Sequence, residues 1–398
     1  MDRGLIAAEQ EAEASEAGPP PENIGDRPLH VGIDVRTWEM SGLGTYVREL
    51  LGAFARLQLP LRFSVVGPER VRSQMPEGLA VSAWHPFDAP LYGGRAFFRY
   101  PDPGPVDLFH YPHYNLPRVK APKLVVNVFD LFHLRYGSWA KRRYQAFFLT
   151  RLRMSGRSRL VAASEKTQLE LEELAGIDRD RVTLIPLGAG RAPMGDIALE
   201  PPRLSSLAGT ELRAPWLLAT GIDQTHKNLD FLLSALSLYF QKRPDAPSLV
   251  WSGLGEHACK RRARQLSALA RRRVALLPHS DARQLEALYR GALVLIFPSL
   301  DEGFGLPPLE AMSRGVPVIC ARREPMTSIL GDAPLYFEPN ESASLWRSLD
   351  RVLDLPAMRE EFVKRGRYCA AAYRWEDTAL RTYDLYRSQV AGVAESGT

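Results

Sequence analysis

The stretch LVLIFPSLDEGFGLPPLEAMSRGVPVI, residues 293–319, reads as strand, loop, helix and strand in succession. LVLIFPS is a short apolar run of the kind that is buried on both faces of a parallel sheet. It delivers the chain into Asp301-Glu302-Gly303-Phe304-Gly305, after which Pro307-Pro308 opens a helix, where the missing N–H has no intrahelical partner to lose. The two glycines allow backbone to approach a ligand closely, and the free N–H groups at the helix start offer an anion site suited to a diphosphate. Glu302 precedes the helix and Glu310 falls in its first or second turn. Both carboxylates can therefore address one bound molecule, a sugar hydroxyl at one end and a ribose at the other.

The same grammar extends in both directions. Toward the C-terminus VPVICA (316–321) is the next buried strand. Toward the N-terminus the pattern reaches back through ARQLEALYRGA (282–292, helix), VALLP (274–278, strand), CKRRARQLSALARRR (259–273, one basic helix), SLVWSG (248–253, strand), NLDFLLSALSLYFQKR (helix) and WLLATG (216–221, strand). Residues 189–214 lose periodicity and gain Pro, Gly and Ser, as a linker does. Before them LHVGIDVRT (29–37), FSVVG (63–67), VDLFHY (106–111), KLVVNVFD (123–130), RLVAAS (159–164) and RVTLIPLG (181–188) read as a second set of strands. TYVRELLGAFARL follows the Gly42-Leu43-Gly44 loop as a helix. Short branched strands alternating with helices imply parallel sheets with right-handed crossovers. Two such sheets leave a cleft outside the carboxyl ends of their strands, where ligands bind.

The chain has 398 residues, enough for roughly two to three domains. Hydrophobic residues are 45% and charged residues 24%, the balance of an ordinary globular protein. Three scattered cysteines make neither a disulfide framework nor a metal cluster, and suit a reducing compartment. No stretch of about 18 apolar residues and no secretory pattern is present. The expected place is the cytoplasm, with peripheral contact at the inner face of the membrane. Residues 1–28 are acidic, Ala- and Pro-rich and read as a disordered tail, although the whole chain carries +5. That excess suits an acidic partner. Residues 141–159 are basic, with Trp139, Phe147 and Phe148 among the cations, so an anionic membrane surface is the expected contact. No nucleic-acid module appears, and no nucleic acid is expected. Asp178-Arg179-Asp180 precedes a strand and reads as a solvated turn.

E-G-F-G-L-P-P-L-E (302–310) resembles the E-x7-E motif of retaining glycosyltransferases with the GT-B fold, and the sequence is similar to family GT4 over roughly residues 29–390. The resemblance also rests on residues 32–50, VAASEKTQLEL (161–171), RVTLIPLG, HKNL (226–229), GDAPLYFEP (331–339) and WEDTALRTYDLYR (375–387). It implies an α/β GT-B protein of two Rossmann-like doubly wound domains facing a central cleft. The expected division is an acceptor-side domain over 29–190, a linker over 191–214, a nucleotide-sugar domain over 215–370 and a helix over 371–392 that crosses back.

The family then implies roles. Glu302, Lys227 and Asp130 are the catalytic candidates. His226, the Gly303, Phe304, Gly305 and Leu306 backbone and Glu310 would hold the donor, with Glu310 on the ribose. Gly42 and Gly44 would line the phosphate and acceptor side. No metal or other cofactor is expected. The reaction would move a hexose, mannose by first choice, from a nucleotide diphosphate sugar to a glycan or lipid-linked acceptor in cell-surface polysaccharide synthesis. The competing readings are a degenerate protein that binds sugar nucleotide or a partner without turnover, and another GT-B sugar-nucleotide enzyme. Three positions depart from the family pattern: His226 where arginine is common, Phe129 where histidine is common, and Met326-Thr327-Ser328 where Leu-Pro-Glu is common.

Overall fold

The alternation of short branched strands with helices builds two all-parallel sheets. The structure is a computed structural model that describes residues 27–92, 97–189 and 204–391. The expected tail up to residue 26, residues 191–203 of the expected linker and residue 392 lie outside the described residues. In the first sheet β1 (Leu29–Asp34), β2 (Leu61–Gly67), β3 (Val81–Pro86), β4 (Leu108–Tyr111), β5 (Leu124–Asn127), β6 (Ser158–Ala162) and β7 (Val182–Leu184) lie in the order β3-β2-β1-β4-β5-β6-β7. A small antiparallel hairpin, β8 (Leu204–Ser205) and β9 (Glu211–Leu212), comes next. The second sheet contains β10 (Trp216–Thr220), β11 (Leu249–Ser252), β12 (Val274–Leu277), β13 (Ala292–Phe297), β14 (Val318–Ala321) and β15 (Leu335–Phe337), in the order β12-β11-β10-β13-β14-β15. The order reverses between β1 and β4 and again between β10 and β13. These are the switch points at which loops part and leave a ligand crevice.

The helices that position the site are α1 (Leu43–Leu57), α2 (Phe132–Tyr136), α3 (Trp139–Met154) and α4 (Glu165–Ala175) on the first sheet. On the second are α5 (Leu229–Lys242), α6 (Glu256–Gln265), α7 (Ala268–Arg273), α8 (Ala282–Arg290), α9 (Leu306–Ser313), α10 (Met326–Leu330), α11 (Ser342–Asp354) and α12 (Pro356–Ala371). The last helix, α13 (Trp375–Ala391), packs back on α1, where the Phe54 and Tyr386 rings are 6.0 Å apart. Its Thr378 hydroxyl donates to the Pro186 carbonyl at 2.8 Å, and Arg56 pairs with Glu376 at 2.8 Å. One apolar cluster therefore runs from Val31 and Ile33 of β1 through Trp375 and Phe304 to Leu295 of β13, joining the two sheets behind the crevice.

Two local expectations change, and an edge strand joins that the sequence does not show. The basic run 259–273 is two helices, because Ser267 leaves helical backbone and accepts the Ala270 N–H at 3.3 Å, which caps α7. Part of the expected linker forms the β8–β9 hairpin, with Ser206 Oγ accepting the Ala208 and Thr210 N–H groups across its turn. The edge strand β3 has little apolar signal because it is mostly half-buried or exposed.

Candidate active site

The loops that leave β10 and β13 meet those that leave β5 and β6. After β10 a 3-10 turn, Thr225–Lys227, carries Lys227 Nζ to within 2.6 Å of Glu302 Oε1. Both side chains are nearly buried, so the pair interacts in a medium of low dielectric. Asp130 of the first wall belongs to the same neighbourhood. Its Oδ1 accepts the Phe132 N–H at 3.1 Å, and buried Gln145 of α3 holds the turn by donating to the Asp130 carbonyl and accepting the Leu134 N–H. Burial pushes the Asp130 carboxyl up to about 6, with the charges of Glu302 and Asp301 adding and Lys227 opposing. An arriving diphosphate would push it further up, since it adds like charge. The three candidates placed far apart in sequence thus share one site.

Glu310 lies on α9, where its Oε2 accepts the hydroxyl proton of fully buried Tyr289 at 3.0 Å. Burial raises its pKa, and the Arg314 guanidinium pulls the other way. The helix begins at Leu306, one residue earlier than Pro307 suggests, with Gly305 at φ 101° as its cap. Pro307 and Pro308 have no N–H, so the donors available to an anion come from Leu306 and the loop before it.

Several of the expected site residues also touch protein groups. A Cβ on Gly303 would lie 2.0 Å from the Phe129 carbonyl oxygen, so that glycine permits close contact between the two walls. The Gly303 carbonyl also accepts the Ser164 hydroxyl at 2.6 Å. Gly305 faces the Met326 thioether, one of the three departures, and Phe304 is a core side chain 5.7 Å from the Tyr373 ring. Gly44 packs against the carbonyls of Thr37 and Trp38, whereas Gly42 is exposed at φ 69° with open space where a Cβ would point. His226 is buried and its ring is tilted against those of Phe132 and Tyr136, at centroid distances of 4.1 and 5.6 Å. Burial, with Lys227 adding, lowers its pKa to about 4, so it is a neutral ring between the walls.

Sequence reasoning missed the ion cluster beside these rings. Lys166 Nζ lies 2.6 Å from Asp301 Oδ1 and 2.5 Å from Glu170 Oε1, and Arg135 reaches Glu170 at 2.8 Å. Lys166 falls in VAASEKTQLEL and Asp301 next to Glu302, but nothing local links the two segments. The first wall also holds a polar aromatic network. Arg36, buried, pairs with Asp34 at 2.8 Å and donates to the Tyr111 hydroxyl at 2.7 Å, while the Tyr100 hydroxyl donates to Asp34 at 2.6 Å. His110 sits between Asn127 Oδ1, at 2.5 Å, and the Tyr386 hydroxyl. His113 lies against Asn115 and the Tyr92 hydroxyl, and His133 against the Tyr114 hydroxyl at 2.7 Å. Asp178 and Asp180 are exposed. Among the described residues no group of three or more His, Cys, Asp and Glu side chains is placed to hold a metal ion.

Residues 212–368 match the family model described as glycosyl transferases group 1. The chain is 37% identical over 103 residues to the O-antigen chain mannosyltransferase B of Escherichia coli, covering 26% of this chain and 27% of that protein. It is 30% identical over 247 residues to a D-inositol 3-phosphate glycosyltransferase of Pseudarthrobacter chlorophenolicus, covering 60% of this chain and 57% of that protein. The match thus spans little more than half of the longer-matched curated relative and about a quarter of the other. The structure of Anabaena Alr3699/HepE in complex with UDP and glucose aligns with a TM-score of 0.65 at 15% identity, covering 90% of this chain and 100% of that one. The fold is GT-B, two parallel α/β sheets with facing switch points.

Proposed function

We propose that this chain, whose residues 212–368 are a group 1 glycosyltransferase domain, transfers a hexose from a nucleotide diphosphate sugar to a hydroxyl of a glycan or lipid-linked acceptor. The observation that carries this reading is the buried Lys227–Glu302 pair, 2.6 Å apart and beside Asp130, where the two walls meet. In the proposed reaction the bond from the anomeric carbon to the diphosphate breaks and a bond to the acceptor oxygen forms on the same face. The acceptor proton leaves with the diphosphate. Lys227 would stabilise charge developing on that leaving group in a water-poor site. Glu302 would accept hydrogen bonds from the donor sugar, Glu310 would take the ribose, and the backbone at Gly303–Leu306 would face the phosphates. Mannose is the first choice of sugar, supported by the O-antigen mannosyltransferase relative. No metal has a part in the proposal.

The membrane side of the reading rests on α3. Trp139 is 74% exposed, Phe147 51% and Met154 78%, along one stripe with Arg143. Phe98, 71% exposed, lies 4.9 Å from the Phe97 ring, which meets Phe147 at 6.2 Å, and residues 131–164 contain no carboxylate side chain. Such a face suits docking on an anionic lipid surface. No helix among the described residues is long and apolar enough to cross a membrane. A reading without turnover is favoured by one observation, the neutral, walled-in His226.

The test is nucleoside diphosphate release from GDP-mannose, UDP-glucose and related donors, with EDTA or Mg²⁺. Glu302→Gln and Lys227→Met are expected to lower kcat by about 10²–10³-fold while the variants stay folded. EDTA is expected to change nothing. Turnover unaffected by both substitutions would sink the reading. Nucleotide-induced thermal stabilisation without any release would favour the binding protein instead.

A further inference from the structure

We infer that Tyr92, with His133 and Tyr114 beside Asp130, forms the acceptor subsite of this cleft, and that it takes an uncharged pyranoside in preference to a phosphorylated one. The inference rests on the transferase reading above and adds the class of acceptor.

Tyr92 keeps 44% of its surface open although its position is held on several sides. Its hydroxyl lies 3.1 Å from His113 Nε2, and its ring meets those of His113, His133 and Tyr144 at centroid distances of 5.4, 5.6 and 5.7 Å. A fixed, half-open ring loses little entropy when an apolar face is laid on it, and the C–H face of a pyranose is such a surface. His133 is half-buried, its Nδ1 occupied by the Tyr114 hydroxyl and its Nε2 without a hydrogen-bond partner among the described residues. Burial, with Lys141 adding, lowers its pKa, so the ring stays neutral and can accept or donate to a sugar hydroxyl. Packing accounts for buried Tyr114, but it leaves the open surface of Tyr92 without a role.

The same carboxyl ties these rings to the donor side. Asp130 stands three residues before His133, and its Cβ lies 3.4 Å from where a Cβ on Gly303, the neighbour of Glu302, would be. A sugar stacked at Tyr92 would therefore present a hydroxyl beside the Lys227–Glu302 pair. A phosphate in its place would meet the Asp130 carboxylate. Of the cations of this wall, Arg36 is buried against Asp34 and Arg135 pairs with Glu170, while Lys141 points into solvent on α3.

The experiment is saturation-transfer NMR on the full chain with methyl α-D-mannopyranoside and with mannose 6-phosphate. Nucleotide-induced thermal shifts are recorded on the same samples. Saturation is expected to reach the methyl mannoside, to fall about fivefold in Tyr92→Ala and in His133→Ala, and to survive in Tyr92→Phe, which keeps the ring. Mannose 6-phosphate is expected to receive less. An undiminished signal in Tyr92→Ala, stronger transfer to the phosphate, or no transfer in the unmodified chain would each overturn the subsite. Loss of the mannoside signal with the nucleotide shift intact supports it. A missing nucleotide shift beside a Tyr92-dependent mannoside signal would count against the transferase reading alone.

Discussion

At the switch point of the second sheet, between β10 and β13, the groups that face the crevice carry charge: Lys227, Asp301, Glu302 and, on α9, Glu310. At the switch point of the first sheet, between β1 and β4, the corresponding positions carry rings and internally satisfied ions: Asp34 with Arg36, then Tyr100, Tyr111, His113 and Tyr92. The strand order is the same on both sides, running outward from the central pair. One backbone plan therefore places two walls of different chemistry face to face, and what each wall can bind depends on the side chains its loops carry. The charged wall suits a charged donor, and the aromatic wall suits an apolar sugar face.

The contrast can be strained first with acid. Burial keeps His110 near 4, His113 near 3 and His226 near 4, all below the ordinary value of about 6.5. The unfolded chain takes up these protons first, so their contribution is complete above about pH 6.5 and is lost as pH falls toward 4. Each of the three gives a slope of up to about 1.4 kcal/mol per pH unit, and Asp130, which gains a proton on folding in the same range, opposes them. Urea unfolding at pH 6.5, 6.0 and 5.5 is expected to show the net slope. His226→Phe, which keeps a ring on Phe132, should remove only the crevice's share of the slope. A slope untouched by that substitution would mean that the two walls do not share the acid response as described.

A smaller effect is expected where the walls touch. Gly303→Ala places a methyl group 2.0 Å from the Phe129 carbonyl oxygen, so one wall must retreat at a cost of about 1–3 kcal/mol. A larger radius of gyration in small-angle scattering, with slower transfer, is the expected outcome. An unchanged radius and rate would show that the contact is not needed for closure. The smallest effect belongs to Asp130. Burial lifts its carboxyl from the ordinary value of about 4 to about 6, so the folded chain holds a proton that the unfolded chain releases, and this group costs stability above pH 6 but none below about 4. Asp130→Asn can keep the bond from the Phe132 N–H, and is expected to raise stability by about 1–2 kcal/mol at pH 7.5 and by little at pH 4. Equal stabilisation at both pH values would argue against a charge effect.

Much of the charged wall is legible along the chain because its carboxylates are close in sequence and its lysine follows a strand. Glu302 and Glu310 flank one loop and helix start, and Lys227 follows a strand as plain as WLLATG. The aromatic wall is not legible in this way. Tyr92 and Tyr114 come from two loops and His133 from the short helix α2, and no spacing relates them. Phe129 and His226 are visible as departures from a pattern, yet not as what they are in three dimensions, a carbonyl under Gly303 and a neutral ring under Phe132. The pairing of Lys166 with Asp301 is hidden for the same reason.

What the sequence by itself determined is the alternation of strand and helix, hence two parallel sheets with a crevice, and the strand-loop-helix that carries both glutamates. These follow from periodicity and from glycine and proline stereochemistry, which act over a few residues. Only the tertiary structure decided which loops meet, which glycine serves contact between walls, and which histidine is stripped of its charge. Burial and electrostatic environment are set by groups from distant segments, and no local pattern encodes their distances.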